Sequence, residues 1–189
     1  MTLTRRAEIF LDVHGHRQYP LGEDVRETEA DRRGEYQRRW GGLVLPPALE
    51  YDGGPRRLEA GLSQEGPGGQ WFEAGPVRTA LPYTFLIGPE GEFGIEDDAL
   101  VVLHESVEGW VEALALADHA VPLATRITKV VGEDVDLDGY EPLPEVRGAA
   151  DTWWRRGDTL VAMHTGEARL FDAPRLRVTR IFEGISWGI

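Results

Sequence analysis

Carboxylates with a regular spacing lie between residues 134 and 145. Four acids and a glycine take the positions of a calcium-binding EF-hand loop: Asp134, Asp136, Asp138, Gly139 and Glu145. The flanking residues do not fit, because Glu141 occupies a position that is normally apolar and Pro142 and Pro144 stiffen the end of the loop. We therefore expect an acidic turn without a metal. A calcium-binding or hydrolytic domain that uses these carboxylates is the alternative.

Two histidines, His14 and His16, have the His-x-His spacing that opens the metal site of amidohydrolase-type barrels. Such barrels need about 200 residues or more, and zinc usually takes three or four protein ligands. The chain has no cysteine and only three further histidines. We expect these two side chains to lie in a surface loop.

The sequence contains no complete signature of nucleophilic catalysis or of phosphate binding. Residues 184–188 (GISWG) match the Gly-x-Ser-x-Gly spacing, but Ser186 is not part of a predicted strand–turn–helix unit, which a nucleophile elbow needs. No Gly-x4-Gly-Lys-Ser/Thr loop occurs. Adjacent acids such as Asp97 and Asp98 are typical of a solvated turn. The sequence therefore predicts a protein that is not an enzyme and needs no cofactor.

The charge of the chain is strongly negative and unevenly distributed. The net charge is −13 over 189 residues, and residues 61–145 carry 17 acidic and 3 basic side chains. Such a surface repels the phosphates of nucleic acids and attracts basic proteins. No apolar run is long enough to span a membrane, and the first residues do not have the apolar run and small-residue cleavage site that would predict a signal peptide. We expect a cytoplasmic protein with one domain over residues 1–189.

Hydrophobic periodicity predicts two helices and several strands. Ser106 caps a helix that extends to His119, where apolar residues recur at helical spacing before Pro122. A second helix is predicted from about Thr28 to Trp40. Strands are predicted at 70–73, 83–87, 92–95, 100–103, 159–163 and 178–182, and residues 168–171 are predicted to complete a hairpin with 159–163.

Neighbouring strand signals with segregated helices indicate an α+β fold. We expect a mostly antiparallel or mixed sheet with helices packed on one side. The core is predicted to cover about residues 22–122, and residues 123–189 form a β-rich C-terminal extension.

Acids of residues 90–112 and a tryptophan pair are the candidate partner-binding residues. They are Glu90, Glu92, Asp97, Asp98, Glu112, Trp153 and Trp154. Glu112 is predicted to face away from the apolar stripe of its helix. In a strand the two tryptophan rings point to opposite faces, so either one is exposed at an interface or both are covered.

Residues from about 35 to 120 resemble the SMI1/KNR4 superfamily, also called SUKH. The resemblance depends on three segments in a fixed order: 36–43 (YQRRWGGL), 83–95 (YTFLIGPEGEFGI) and 104–111 (HESVEGWV). It implies an α+β domain, and bacterial members are similar to immunity proteins that neutralise nuclease or deaminase toxins by binding them. The expected function is thus a protein-binding module for a basic toxin domain. A housekeeping regulatory interaction is a further alternative.

Overall fold

The computed structural model describes residues 2–18 and 32–186, and the structural statements below refer to these residues. Four helices lie in this part of the chain: α1 (Arg5–His14), α2 (Arg32–Trp40), α3 (Val107–Leu123) and α4 (Gly166–Leu170). Short 3-10 turns lie at Tyr51–Gly53, Pro144–Val146 and Pro174–Leu176. No helix in the described ranges is long and apolar enough to cross a membrane.

Twelve strands form three antiparallel sheets. They are β1 (His16–Arg17), β2 (Leu43–Val44), β3 (Ser63–Gly66), β4 (Gly69–Glu73), β5 (Thr84–Ile87), β6 (Phe93–Glu96), β7 (Leu100–His104), β8 (Arg126–Val131), β9 (Glu141–Pro142), β10 (Asp151–Arg156), β11 (Thr159–His164) and β12 (Val178–Glu183). Strands β1 and β2 pair with each other. The N-terminal sheet has the order β3-β4-β5-β6-β7, and the C-terminal sheet has the order β8-β12-β11-β10-β9.

Helix α3 belongs to the hydrophobic cores of both large sheets. Trp110, Val111 and Leu114 pack into the core of the N-terminal sheet, where Trp110 stacks on Phe93 at 4.8 Å between ring centroids. Residues on another side of the helix, among them Leu116, pack into the core of the C-terminal sheet. Each buried side chain of this size contributes roughly 1.5–3 kcal/mol. The helix therefore holds the two sheets together.

The structure confirms the α+β class and the predicted α3. Ser106 is the N-cap, and its hydroxyl accepts from the N–H of Gly109 at 3.2 Å. The helix continues through Pro122 to Leu123, one turn beyond the predicted end. Within the predicted 28–40 helix, α2 begins at Arg32 in the described chain, and Thr28 lies outside the described residues.

One predicted hairpin is wrong. Residues 168–171 were expected to form a strand, but Gly166–Leu170 is the short helix α4. Strand β11 instead pairs with β10 and β12. Gly166, Ala168 and Leu170 are buried at every second position, so the apolar alternation in the sequence is the same as that of a strand and does not distinguish this short helix from one.

Candidate partner-binding site

The acids of the β5–β6 turn have unequal access to solvent. Glu90 is exposed, whereas Glu92 is half-buried. The Glu92 carboxylate accepts from the backbone N–H of Glu90 at 2.8 Å, so it stabilises the turn. Gly91 has φ +94°, a left-handed conformation that glycine adopts without strain.

Asp97 and Asp98 are exposed on the β6–β7 turn, at the opposite end of β6. A strand rises about 3.3 Å per residue, which puts Glu92 and Asp97 roughly 16 Å apart along it. The four predicted acids therefore lie in two groups at opposite ends of the sheet. They do not form one continuous acidic patch.

Glu112 is fully buried and is not available to a partner, contrary to the prediction. Its carboxylate accepts from the N–H of Thr4 at 2.6 Å and from the Thr4 hydroxyl at 2.7 Å. Arg6 also donates to it at 3.3 Å. Helix α1 covers the side of α3 that the sequence pattern assigned to solvent, so Glu112 anchors α1 instead.

The tryptophan pair lies in β10, and its rings point to opposite faces as predicted. Trp153 is buried and stacks on Phe182 at 5.8 Å between ring centroids, so it is a core residue and not a partner-binding one. Trp154 is half-buried, and its Nε1–H donates to the Thr152 hydroxyl at 2.9 Å. Only Trp154 keeps surface that a partner can contact.

The candidate calcium ligands serve other contacts. Asp134 pairs with Arg177, and Glu145 pairs with Arg6 at 3.2 Å. Asp136 accepts from the N–H of Asp138 at 2.9 Å, as in an ordinary turn. Nowhere in residues 2–18 and 32–186 are three or more acidic, histidine or cysteine side chains grouped to hold a metal ion.

An apolar cleft between α1 and α3 was not predicted. It has a volume of about 390 Å³ and is lined chiefly by Ile9, Phe10, Val13 and Ala115. Ile9 is 48% exposed and Val13 is 68% exposed, although both are large apolar side chains. The sequence contains a signal for α1, since Thr4 can cap a helix and Ala7 and Phe10 recur at helical spacing.

Further clefts continue from this one across the same side of the molecule. A second cleft of about 350 Å³ shares Phe10 and Asp118 with the first and extends to Leu49 and Val121. A third, of about 500 Å³, shares the 47–49 segment with the second and reaches Lys129 on β8. We call the first two the α1–α3 clefts.

Exposed apolar side chains are concentrated along this series of clefts. The described residues have seven large exposed ones: Ile9, Val13, Leu49, Leu62, Val121, Ile127 and Val131. Four of them line the α1–α3 clefts, and two flank Lys129 on β8. Such clustering is typical of a protein-interaction surface, and Leu62 is the exception that lies elsewhere.

A buried polar cluster centred on Asp151 lies where the two sheets meet. One carboxylate oxygen accepts from the Tyr51 hydroxyl at 2.7 Å and from the N–H of Thr165 at 3.1 Å. The other lies 3.3 Å from Nδ1 of His164. Burial alone would raise the pKa of Asp151, but His164, His104 and Tyr51 outweigh it and hold the pKa below its ordinary value.

Two neighbouring groups of this cluster have displaced pKa values as well. Burial lowers the pKa of His104 to about 4, so its ring is neutral near pH 7. Burial, together with the Asp151 charge, raises the pKa of Tyr51. Tyr51 has φ +58°, a strained conformation for a bulky residue, and its hydrogen bond to Asp151 offsets part of that strain.

An orienting Asp–His pair is also a feature of hydrolytic sites, but the surrounding space is small. The adjoining cavity, lined by Trp110, Trp153 and His164 among others, measures about 30 Å³. Nε2 of His164 and Nε1 of Trp153 are buried there without a partner in the described chain. A cavity of this size holds one water molecule, which suits a polar joint between the sheets rather than a substrate site.

Comparisons with known proteins give no relative for this chain. No family model matches it, and neither a curated protein nor a solved structure matches it.

Proposed function

We propose that this protein is a non-catalytic binding module that neutralises a basic protein by covering part of its surface. The observation that carries the proposal is the pair of α1–α3 clefts with their exposed apolar side chains. Ile9 and Val13 lie one helical turn apart on α1 and face solvent beside a concave apolar surface. A few residues near the centre of an interface contribute most of its binding energy, and we assign that position to this apolar surface.

Charge supports a basic partner. Exposed carboxylates of Glu8, Asp12 and Asp118 lie on the two helices that form the first cleft, and the chain as a whole carries −13. Negative potential attracts a basic protein and speeds its encounter at low salt. The acids at the two ends of β6 contribute to this field as separate groups.

A toxin domain of nuclease or deaminase type is the proposed partner, and the site of action is the cytoplasm. This part of the proposal depends on the resemblance of residues 35–120 to the SMI1/KNR4 superfamily. Inhibition by covering an active cleft needs no chemistry from the inhibitor. The inhibitor needs only an apolar contact surface and a net charge opposite to that of the toxin.

The binding role is tested by affinity capture from lysate of the source cells with three baits. These are the unmodified protein, the double variant Ile9→Asn with Val13→Asn, and Leu62→Asn as a matched control. Leu62 is 76% exposed and lies outside the clefts. We expect the same basic protein on the first and third baits and its loss from the double variant; equal capture by all three would contradict the proposal.

The immunity role is tested on the captured partner. Expressed alone, it should inhibit growth, and co-expression with this chain should restore growth. A partner that is harmless alone would leave the binding role intact and would rule out toxin neutralisation.

A further inference from the structure

Strand β8 is an open edge of the C-terminal sheet. It pairs with β12 over six residues in regular antiparallel register and contains no proline. The edge at β7 in the N-terminal sheet is covered instead, because Ala149 and Ala150 donate to the carbonyl groups of Leu103 and Val102. Edge strands with unpaired backbone groups bind further strands readily unless something blocks them.

The phase of the hydrogen bonds shows which backbone groups of β8 face outward. Gly132 donates to the carbonyl of Arg177 at 2.9 Å, and bonded positions alternate along an antiparallel pair. Residues 126, 128 and 130 therefore bond to β12, and Ile127, Lys129 and Val131 present their N–H and C=O groups outward. No hydrogen bond to these outward groups occurs within the described residues.

Side chains of the same three residues make an apolar–basic–apolar row. Ile127 lies opposite the buried Phe182, so the row belongs to the face of the sheet that packs on α3. It extends past the cover of the helix, because Ile127 is 41% exposed and Val131 is 53% exposed. An added strand could therefore form hydrogen bonds with the outward N–H and C=O groups of β8 and pack its side chains against this row.

A second copy of this chain does not suit the edge. The symmetric pairing that matches Ile127 with Val131 would place Lys129 opposite Lys129 of the other copy, and like charges directly opposite each other destabilise a sheet. Lys129 and Arg180 both contact Glu50, at 3.8 and 2.6 Å. These three side chains leave one positive charge in excess, which favours a carboxylate on the incoming strand.

We propose that β8 binds an extended segment of another protein as an added antiparallel strand, with an acidic residue opposite Lys129 and apolar residues opposite Ile127 and Val131. Main-chain hydrogen bonds supply the affinity and the alternating side chains supply the specificity. This inference does not depend on the proposed role of the α1–α3 clefts. One basic protein could bind both the α1–α3 clefts and the β8 edge if one of its strands carries a single carboxylate opposite Lys129.

Two synthetic decapeptides of alternating sequence test the proposal. Both carry valine at two positions four residues apart, and the residue midway between them is glutamate in one and lysine in the other. Fluorescence anisotropy should show saturable binding with the glutamate peptide favoured by about fivefold, as expected for exchange of an attractive cross-strand pair for a repulsive one. Lys129→Glu should reverse this preference.

The variant Val131→Pro is the structural test, because it removes an outward N–H without removing a bond to β12. We expect this variant to raise the Kd of the glutamate peptide at least about tenfold, while the circular dichroism spectrum of the protein stays unchanged. Bound peptide should slow amide exchange at Ile127, Lys129 and Val131, measured by NMR. Failure of both peptides to bind, binding that Val131→Pro leaves intact, or dimerisation through β8 would each overturn the proposal.

Discussion

The carboxylate of Glu112 is a buried negative charge held by donors on the N-terminal segment. Thr4 supplies two hydrogen bonds and Arg6 a third. A buried charge is costly unless it is paired, and removal of one side of such a pair leaves the other side without compensation. The contact therefore determines where α1 lies on α3, and with it the shape of the first cleft.

Replacement of Glu112 tests this anchoring role. We expect Glu112→Ala to lower the free energy of unfolding by about 3 kcal/mol, because the donors of Thr4 and Arg6 lose their acceptor. Chemical denaturation measures the change, and Glu105→Ala is the control because Glu105 is an exposed acid just before the same helix. If both variants lose the same small amount of unfolding free energy, Glu112 does not anchor helix α1.

His104 gives a pH dependence of stability with a defined sign. Its pKa is about 4 in the folded chain and about 6.5 when unfolded. Between these values the unfolded chain binds more protons, so stability falls as the pH drops from about 6.5 to 4. The contribution is about 3 kcal/mol at full extent.

The variant His104→Asn should reduce the dependence of the free energy of unfolding on pH between about 6.5 and 4. Asparagine keeps a donor near the carbonyl of Val146, which lies 3.3 Å from Nδ1 of His104, but it does not titrate. Urea denaturation at pH 4.5, 5.5 and 6.5 measures the difference. The same slope in both proteins would show that His104 is not held neutral by burial.

At the scale of elements, α3 and the strands around it were predictable from the sequence alone. Their apolar periodicity is strong because α3 is buried along most of its length and β5 to β7 are core strands. The helix α1 was not predicted, since it buries only Ala7 and Phe10 and its apolar stripe is thin. Strand β8 was missed for a similar reason, because as an edge strand it is mostly exposed.

Helix α1 should tolerate substitution on one face only. Phe10 is buried in the N-terminal core, so Phe10→Ala should cost about 3–5 kcal/mol. Val13→Asn should change the stability by about 0.5 kcal/mol or less, because that side chain is largely exposed. Thermal or urea denaturation of the two variants measures both values. A large loss for Val13→Asn would mean that Val13 supports the fold rather than a partner.

At the scale of the whole molecule, the site is formed by segments that are far apart in sequence. The first cleft joins residues 6–14 with 115–119, and the second adds residues 46–49. Composition predicted the negative charge, but it did not show where apolar surface is exposed. That property depends on how α1 packs on α3, through a buried contact between residues 108 positions apart.

The same arrangement explains why the predicted acidic patch is divided. Glu92 and Asp97 are only five positions apart in the sequence, but the full length of strand β6 lies between them. Glu112 is covered by helix α1, which was not predicted. The partner surface we propose is apolar at its centre and has charged side chains around it, as in many interfaces with an apolar core and a polar rim.

Titration calorimetry of the captured partner against three purified proteins tests the central claim most directly: the unmodified chain, Leu62→Asn, and the Ile9→Asn, Val13→Asn double variant. If the α1–α3 clefts bind the partner, the double variant should raise Kd at least about tenfold. Leu62→Asn should leave Kd unchanged. Equal Kd values for the three proteins would show that the partner binds elsewhere.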